Sequence, residues 1–249
     1  MENSLSAEKR GLSADAIKLI AAAAMLIDHI AWCFVPKNSA AGVLMHMIGR
    51  IAAPIMCFFI VEGFYNTENV RKYLLRLGIF AVISWVPFVF MEDGILPFYF
   101  SGGELFFVFD QSIIYTLFLG LLMLVMIHSE RLKIPLKLLF AAGILYLSFW
   151  GDWSFIAILF ILVFDRFHGD FKKQAIAFAA AVGFEYLILI TLYQNPPADA
   201  LFQIGVIFAL IPLYFYNGRR GKNKRLGKWF FYVFYPLHML VLGILRNII

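Results

Sequence analysis

The sequence predicts an all-α fold: a polytopic transmembrane bundle of about nine helices, N-terminus in the cytoplasm and C-terminus outside, forming one integral-membrane domain over residues 1–249. Three observations predict it. Of the 249 residues, 62% are hydrophobic and 15% charged, and the mean hydropathy is +0.82. A water-soluble domain of this length does not bury so much apolar surface. The apolar residues fall into runs near the ~20 residues that cross ~30 Å of hydrocarbon. The basic residues gather on alternate connections, as cytoplasmic loops of membrane proteins do.

Taken in order, spans are expected over 14–36, 42–63, 70–91, 111–128, 134–150, 153–165, 173–193, 200–216 and 228–248. The first 13 residues are polar, and the apolar run after them is too long for a cleavable signal peptide, so the first span should persist in the mature chain. With the N-terminus inside, the inner segments are 1–13, 64–72, 129–133, 166–172 and 217–227. Together with adjoining helix ends they carry 17 of the 21 Lys and Arg residues. The outer loops carry only Lys37, Arg246 lies at the outer end of the last helix, and Lys18 and Arg50 lie within helices. This asymmetry accounts for the net charge of +5 without a nucleic-acid partner. The two cysteines, Cys33 and Cys57, sit inside apolar runs and read as small core hydrophobes. The outer loop 92–110, EDGILPFYFSGGELFFVFD, has four acids, no base and many aromatics. It suits either an interfacial anchor or a re-entrant lid.

Ionisable residues inside the spans carry the functional information, because each costs roughly 2.5–3.5 kcal/mol to insert. Lys18 and His29 are eleven residues apart, so they share one face of the first helix, about 16 Å apart along its axis. Asp28 points about 100° away from His29 and should pair with a neighbouring helix. In the second span, His46 and Arg50 fall at i,i+4 on one face, ahead of Pro54. A short connection makes the first two spans antiparallel, which puts Arg50 at the depth of Asp28. An Asp28–Arg50 ion pair is therefore expected, either as part of a site or simply to pin two helices. Glu62, near the inner end of that span, suits a local pair with Arg71 or Arg76 as well as a ligand contact. The last span holds Tyr235, Pro236 and His238 in FYPLHML, where His238 could satisfy backbone near the proline. Glu185 and Asp152 are further acids, at mid-helix and at the outer interface. His128 and His168 fall in inner loops without an assigned role. No HxxxH or HExxH pair occurs, so no metal is expected.

These residues carry a resemblance. The stretches ADAIKLIAAAAMLIDHIA, MIGRIAAPIMCFFIVEGFYNTENVRKYLLRLGIFAVISWVPF and FYVFYPLHMLVL resemble the TraX family, whose founding member N-acetylates conjugative pilin. There is a wider similarity to membrane acyltransferases that carry a basic residue, ten residues and then a histidine in the first helix. Lys18 and His29 have that spacing, with lysine where those relatives carry arginine. The resemblance implies a membrane acetyltransferase in a bacterial cytoplasmic membrane. Acetyl-CoA would be the co-substrate, and the acceptor at the outer side would be a protein N-terminus, such as a pilin's, or a glycan hydroxyl. In that reading His29 is the candidate general base. Arg50 or His238 stabilises charge at the thioester carbonyl, and Asp28 holds Arg50. Lys18, Arg71 and Arg76 meet CoA phosphates, with Glu62 and Tyr235 also in the cofactor-binding set. The alternative is a proton-linked transporter or flippase using the same buried Asp, His and Arg, although the duplicated halves common in transporters are not evident. A third class is a structural membrane scaffold.

Overall fold

The computed structural model describes residues 11–192, 201–221 and 224–248. Lys9, Arg10 and Lys222, and the expected helix ends at 193 and 200, lie outside the described residues, as do the side chains of Lys224, Arg225 and Lys228. The helices are α1 (Ala14–Phe34), α2 (Ala40–Gly49), α3 (Ala52–Asn66), α4 (Val70–Asp93), α5 (Ile113–Ile127), α6 (Ile134–Ser148), α7 (Ser154–Arg166) and α8 (Phe171–Leu192). A 3₁₀ segment (Phe202–Ala209) then leads into α9 (Leu210–Tyr214), and α10 (Lys224–Ile248) ends the chain. Counting α2 with α3, and the 3₁₀ segment with α9, nine helical units are present among the described residues. The expected all-α bundle is the observed one.

Local chemistry sets the boundaries. Ser13 caps α1 by accepting from the Ala16 N–H at 3.3 Å, and the helix stops just before Val35 and Pro36. Ser39 caps α2 through the Gly42 N–H at 3.0 Å. Asn69 caps α4 through the Lys72 N–H at 2.9 Å, and Gly94, with φ +72°, closes its other end.

Three expectations are corrected. The second span, expected as one helix, breaks at Arg50–Ile51 into α2 and α3. Pro54 explains this: its ring clashes with the Arg50 carbonyl and supplies no N–H to it. The span expected over 200–216 is mostly 3₁₀, with Gly205 so close to the Met47 backbone that a Cβ there would overlap it. Within 92–110, strands β1 (Phe98–Ser101) and β2 (Glu104–Phe107) pair as an antiparallel hairpin. Its turn is Gly102–Gly103, with φ of +60° and +85°. The hairpin packs Phe98 and Phe107 on Trp85 of α4.

Among the described residues, five units are long and apolar enough to cross a membrane: 14–34, 40–66, 70–93, 171–191 and 229–248. Helices α5, α6 and α7 have only 13–15 residues, short of the ~20 a full crossing needs. Shorter elements are tolerated at membrane depth where protein surrounds them. Helix α7 is the clearest case: Ala157, Ile158, Phe160, Ile161 and Phe164 are fully buried, and it packs on α3, α5 and α8. Cys57 is buried there, its Sγ donating to the Ala157 carbonyl at 3.5 Å; both cysteines are free.

The bundle has two chemically distinct ends. At the basic end, the start of α1 is laced to the 215–220 loop. Leu12 N–H donates to Phe215 O at 2.7 Å, Ala14 N–H to Arg219 O at 2.8 Å and Asp15 N–H to Arg220 O at 2.9 Å. At the acidic end, the Gln111 N–H donates to Trp150 O at 2.7 Å, and Arg246 donates to the carbonyls of Met91 and Glu92 at 2.7 and 2.6 Å. Residues expected inside thus cluster at one end, and residues expected outside at the other.

Candidate active site along a chain of cavities

Three cavities follow one another between the two ends. The basic-end cavity, about 400 Å³, is lined by Asp15, Lys18, Glu62, Arg76, Arg220 and three tyrosines among others. A narrow apolar neck of about 80 Å³ shares Lys18, Phe59, Tyr73 and Tyr232 with it. The acidic-end cavity, about 310 Å³, shares Met25, Met56, Ile113 and Tyr235 with the neck. It is lined by Asp28, His29, Arg50, Glu92, Asp110 and Asp152. Lys18 and His29 therefore sit on the cavities from opposite ends, as their shared helix face requires.

Helices α1 and α10 bring His29 and His238 together. His29 Nδ1 lies 2.7 Å from His238 Nε2. His238 Nδ1 lies 2.8 Å from the Phe234 carbonyl, an acceptor only, so that nitrogen carries the proton and donates. With both rings neutral, His238 Nε2 is then an acceptor and His29 Nδ1 donates to it. The network thereby assigns the tautomer of His29, leaving its Nε2 with a free lone pair. Both His238 nitrogens are engaged. His238 is thus an orienting partner for His29 and has no N–H to offer an oxyanion.

Asp28 takes a different partner from the one its depth suggested. Its Oδ1 accepts from His46 Nδ1 at 2.7 Å, with His46 fully buried. Among the described residues no ion pair joins Asp28 to Arg50. Depth alone did not separate the two candidates: His46, one turn before Arg50, reaches Asp28 from α2, while Arg50 lies between two rings. The Arg50 guanidinium carbon lies 5.3 Å from Trp153 and 5.1 Å from Phe202, a cation–π arrangement suited to arginine. Gly49 permits the Asp28–His46 pair, because a Cβ there would overlap the Asp28 side chain. Gly49→Ala is expected to lower stability by about 1–3 kcal/mol, the usual cost of overpacking, seen as a reduced melting temperature in detergent. An unchanged melting temperature would mean Asp28 is freer to move than its packing indicates.

The expected cofactor-binding residues divide. Lys18 and Arg76 line the basic-end cavity, and Tyr235 lines the neck and the acidic-end cavity. Arg76 Nε is buried with no hydrogen-bond partner, a donor left for something in the cavity. Glu62 also lines it, but His168 Nε2 holds its carboxylate at 2.9 Å and the Tyr216 hydroxyl donates to it at 3.3 Å. Arg71 is exposed and lines none of the three cavities. Arg220, which had no assigned role, does line the basic-end cavity. His128 and His168, also unassigned, make ion-pair contacts with Asp165 and Glu62. The i,i+4 spacing of His46 and Arg50 was the available signal for His46. Nothing local pointed to Arg220, which is placed by its loop's backbone bonds to α1. Among the described residues no group of His, Cys, Asp and Glu is arranged to hold a metal ion.

A family model described as TraX protein matches residues 13–246. A probable fimbrial assembly protein FimC, serogroup H1, of Dichelobacter nodosus is 34% identical over 239 residues, covering 92% of this chain and 94% of that protein. An uncharacterized protein of Rickettsia prowazekii (strain Madrid E) is 34% identical over 101 residues, 40% of this chain and 38% of its own length. No solved structure matches significantly.

Proposed function

This chain belongs to the TraX protein family, and on that premise we propose that it is a membrane-embedded acetyltransferase. It takes the acetyl group from cytoplasmic acetyl-CoA and passes it to an amine at the outer side of a bacterial cytoplasmic membrane. The observation that carries this reading is the series of cavities joining a basic end to His29. The positive-inside rule puts the basic end in the cytoplasm. Lys18, Arg76 and Arg220 suit the phosphates of CoA. The narrow apolar neck suits its thin pantetheine arm. The thioester then reaches the acidic-end cavity beside His29.

The chemistry follows from the tautomer. The arriving ammonium first releases one proton to water; the neutral amine nitrogen then attacks the thioester carbonyl carbon as His29 Nε2 removes a second. The new N–C bond forms, and the carbonyl π pair moves onto oxygen. Collapse breaks the C–S bond, and the departing thiolate takes the proton back from His29. His238 holds the His29 ring and shares the positive charge it acquires, while Phe234 holds His238. Arg50 places a fixed positive charge on the cavity wall, favouring negative charge on the carbonyl oxygen.

Charge at the acidic end favours an amine over a glycan hydroxyl. Asp28, Glu92, Asp110 and Asp152 line that cavity against the one guanidinium of Arg50. A free α-amino group, with a pKa of about 7.7–8.0, arrives as an ammonium ion that such a wall attracts. The related FimC is named for fimbrial assembly, so a pilin N-terminus is the natural acceptor.

The direct test mixes the full chain in detergent with labelled acetyl-CoA and a peptide bearing a free N-terminus. Transfer of label to the peptide amine is expected. Neither CoA binding nor transfer would end the enzyme reading, and pH-driven solute flux in liposomes without CoA affinity would establish a transporter instead.

The wall charge also has a pH dependence. Burial pushes the Asp152 carboxyl up to about 6, against the opposing pull of Arg50. Above that pH it is ionised and attracts the ammonium; below it is neutral. KM for the peptide should therefore fall as pH rises through about 6. Asp152→Asn should flatten that part of the profile, and an unchanged profile in the variant would remove Asp152 from acceptor binding.

A further inference from the structure

A tyrosine hydroxyl with no sound hydrogen bond and the start of a helix meet where the neck opens into the acidic-end cavity, with a buried serine behind them. Tyr235 is 3% exposed, and its hydroxyl makes no hydrogen bond. It lines both the neck and the acidic-end cavity, with its ring 6.4 Å from that of His29. Ser112 is fully buried, caps no backbone N–H of α5, and its Oγ also has no partner. Ser112 and the backbone N–H of Ile113 both lie beside the Tyr235 hydroxyl. Ile113 opens α5, a helix of 15 residues, and lines the same two cavities.

Each feature alone is ordinary, but together they describe an anion site. The first N–H groups of a helix have no partner within it, and the helix dipole places partial positive charge there. A buried hydroxyl left without a partner costs about 1–3 kcal/mol. The Tyr235 hydroxyl lies beside a helix N-terminus that lines the same cavity, which indicates that its acceptor arrives with a ligand; Ser112 lines none of the three cavities and stands behind it. In the proposed reaction the thioester carbonyl oxygen becomes anionic near His29 first, before the thiolate departs and is protonated.

We propose that the N-terminus of α5 and the hydroxyl of Tyr235, which Ser112 positions, bind the carbonyl oxygen of the acetyl thioester and hold its developing negative charge. The inference rests on the acetyl-transfer reading and adds catalytic donors that the reading does not require. Tyr235 donates its proton as a hydrogen bond without transferring it, so the atom balance of the step is unchanged. Arg50 contributes charge from the cavity wall, whereas these donors contact the oxygen from the neck side.

The test is Tyr235→Phe and Ser112→Ala in the full chain, assayed for transfer from acetyl-CoA to a peptide amine. Loss of one oxyanion donor typically costs about 10²–10³ in kcat, so Tyr235→Phe is expected to lower kcat roughly 10²-fold, with the KM for acetyl-CoA changed less than about threefold. In wild type, bound acetyl-CoA labelled with carbon-13 at the carbonyl should show its carbonyl stretch shifted to lower wavenumber, and the shift should shrink in Tyr235→Phe. A retained kcat, or a loss confined to KM with an unmoved carbonyl band, overturns the inference. Should Tyr235→Phe fold poorly, Ser112→Ala with the same two readouts decides the matter. A wild-type protein that transfers no acetyl group would fail the functional reading itself. Active wild type with unaffected variants would fail this inference alone.

Discussion

Replacing His29 with alanine is expected to reduce acetyl transfer by about 10²–10⁴-fold, the usual contribution of a positioned general base. The prediction is specific to one atom, because the hydrogen bonds leave a single His29 nitrogen without a partner among the described residues. Phe234 holds His238 in one tautomer, and His238 in turn leaves Nε2 of His29 as the basic nitrogen. CoA affinity should be retained in His29→Ala, since the side chains proposed to bind its phosphates lie at the other end of the cavity series. His238→Ala should give a smaller loss, because His29 keeps its lone pair and loses only its orientation. Single-turnover rates and equilibrium binding of CoA measure the two effects separately. Full transfer by His29→Ala would show that the base lies elsewhere.

The second large effect concerns the route. Met56 lies on the wall shared by the neck and the acidic-end cavity. The neck holds about 80 Å³, so a larger side chain there should close it. Met56→Trp is expected to lower transfer roughly 10²-fold or more by excluding the thioester from its reactive position. CoA without an acyl group should still bind the basic-end cavity, with its affinity weakened only by the lost contact of the arm. Met56→Leu, of similar size, should be close to wild type. If Met56→Trp transfers acetyl groups at the wild-type rate, the thioester does not travel through the neck.

Much of the fold was legible because the bilayer restricts what a chain can do. Backbone polar groups in hydrocarbon must be satisfied locally, so apolar runs become helices. The Lys18–His29 alignment followed from helix geometry alone, and both residues do face the cavities. The hairpin at 98–107 was hidden by reading the segment as an aromatic loop. The Gly102–Gly103 pair between FYFS and ELFF was a two-residue turn signal. The 3₁₀ segment had no such signal, since its course is set by Gly205 lying on Met47.

The site was legible in its membership and less so in its pairings. Asp28, His29, Arg50 and Tyr235 all reach one cavity, and each stood out as a polar group within an apolar run or, for Tyr235, beside a helical proline. The expected Asp28–Arg50 pair failed because it was chosen by depth alone, and His46, one turn earlier in the same helix, is the residue that reaches Asp28. His29 and His238 are 209 residues apart, and no local rule relates them. Arg71 was chosen for its charge and proximity in sequence, yet it is exposed and lines none of the three cavities.

The sequence by itself determined the membrane class, the number and order of the helical units, their expected orientation and which ionisable groups must be buried. Those properties depend on composition along the chain and on the cost of polar groups in hydrocarbon, and both can be summed residue by residue. Only the tertiary structure decided that His46 and not Arg50 takes Asp28, that His238 sets the tautomer of His29, and that unpartnered hydroxyls gather at the start of α5. Those properties depend on the rotation and depth of each helix against its neighbours. Rotation and depth are set by the packing of many side chains at once, and hydrogen bonding is sensitive to them over a few tenths of an ångström.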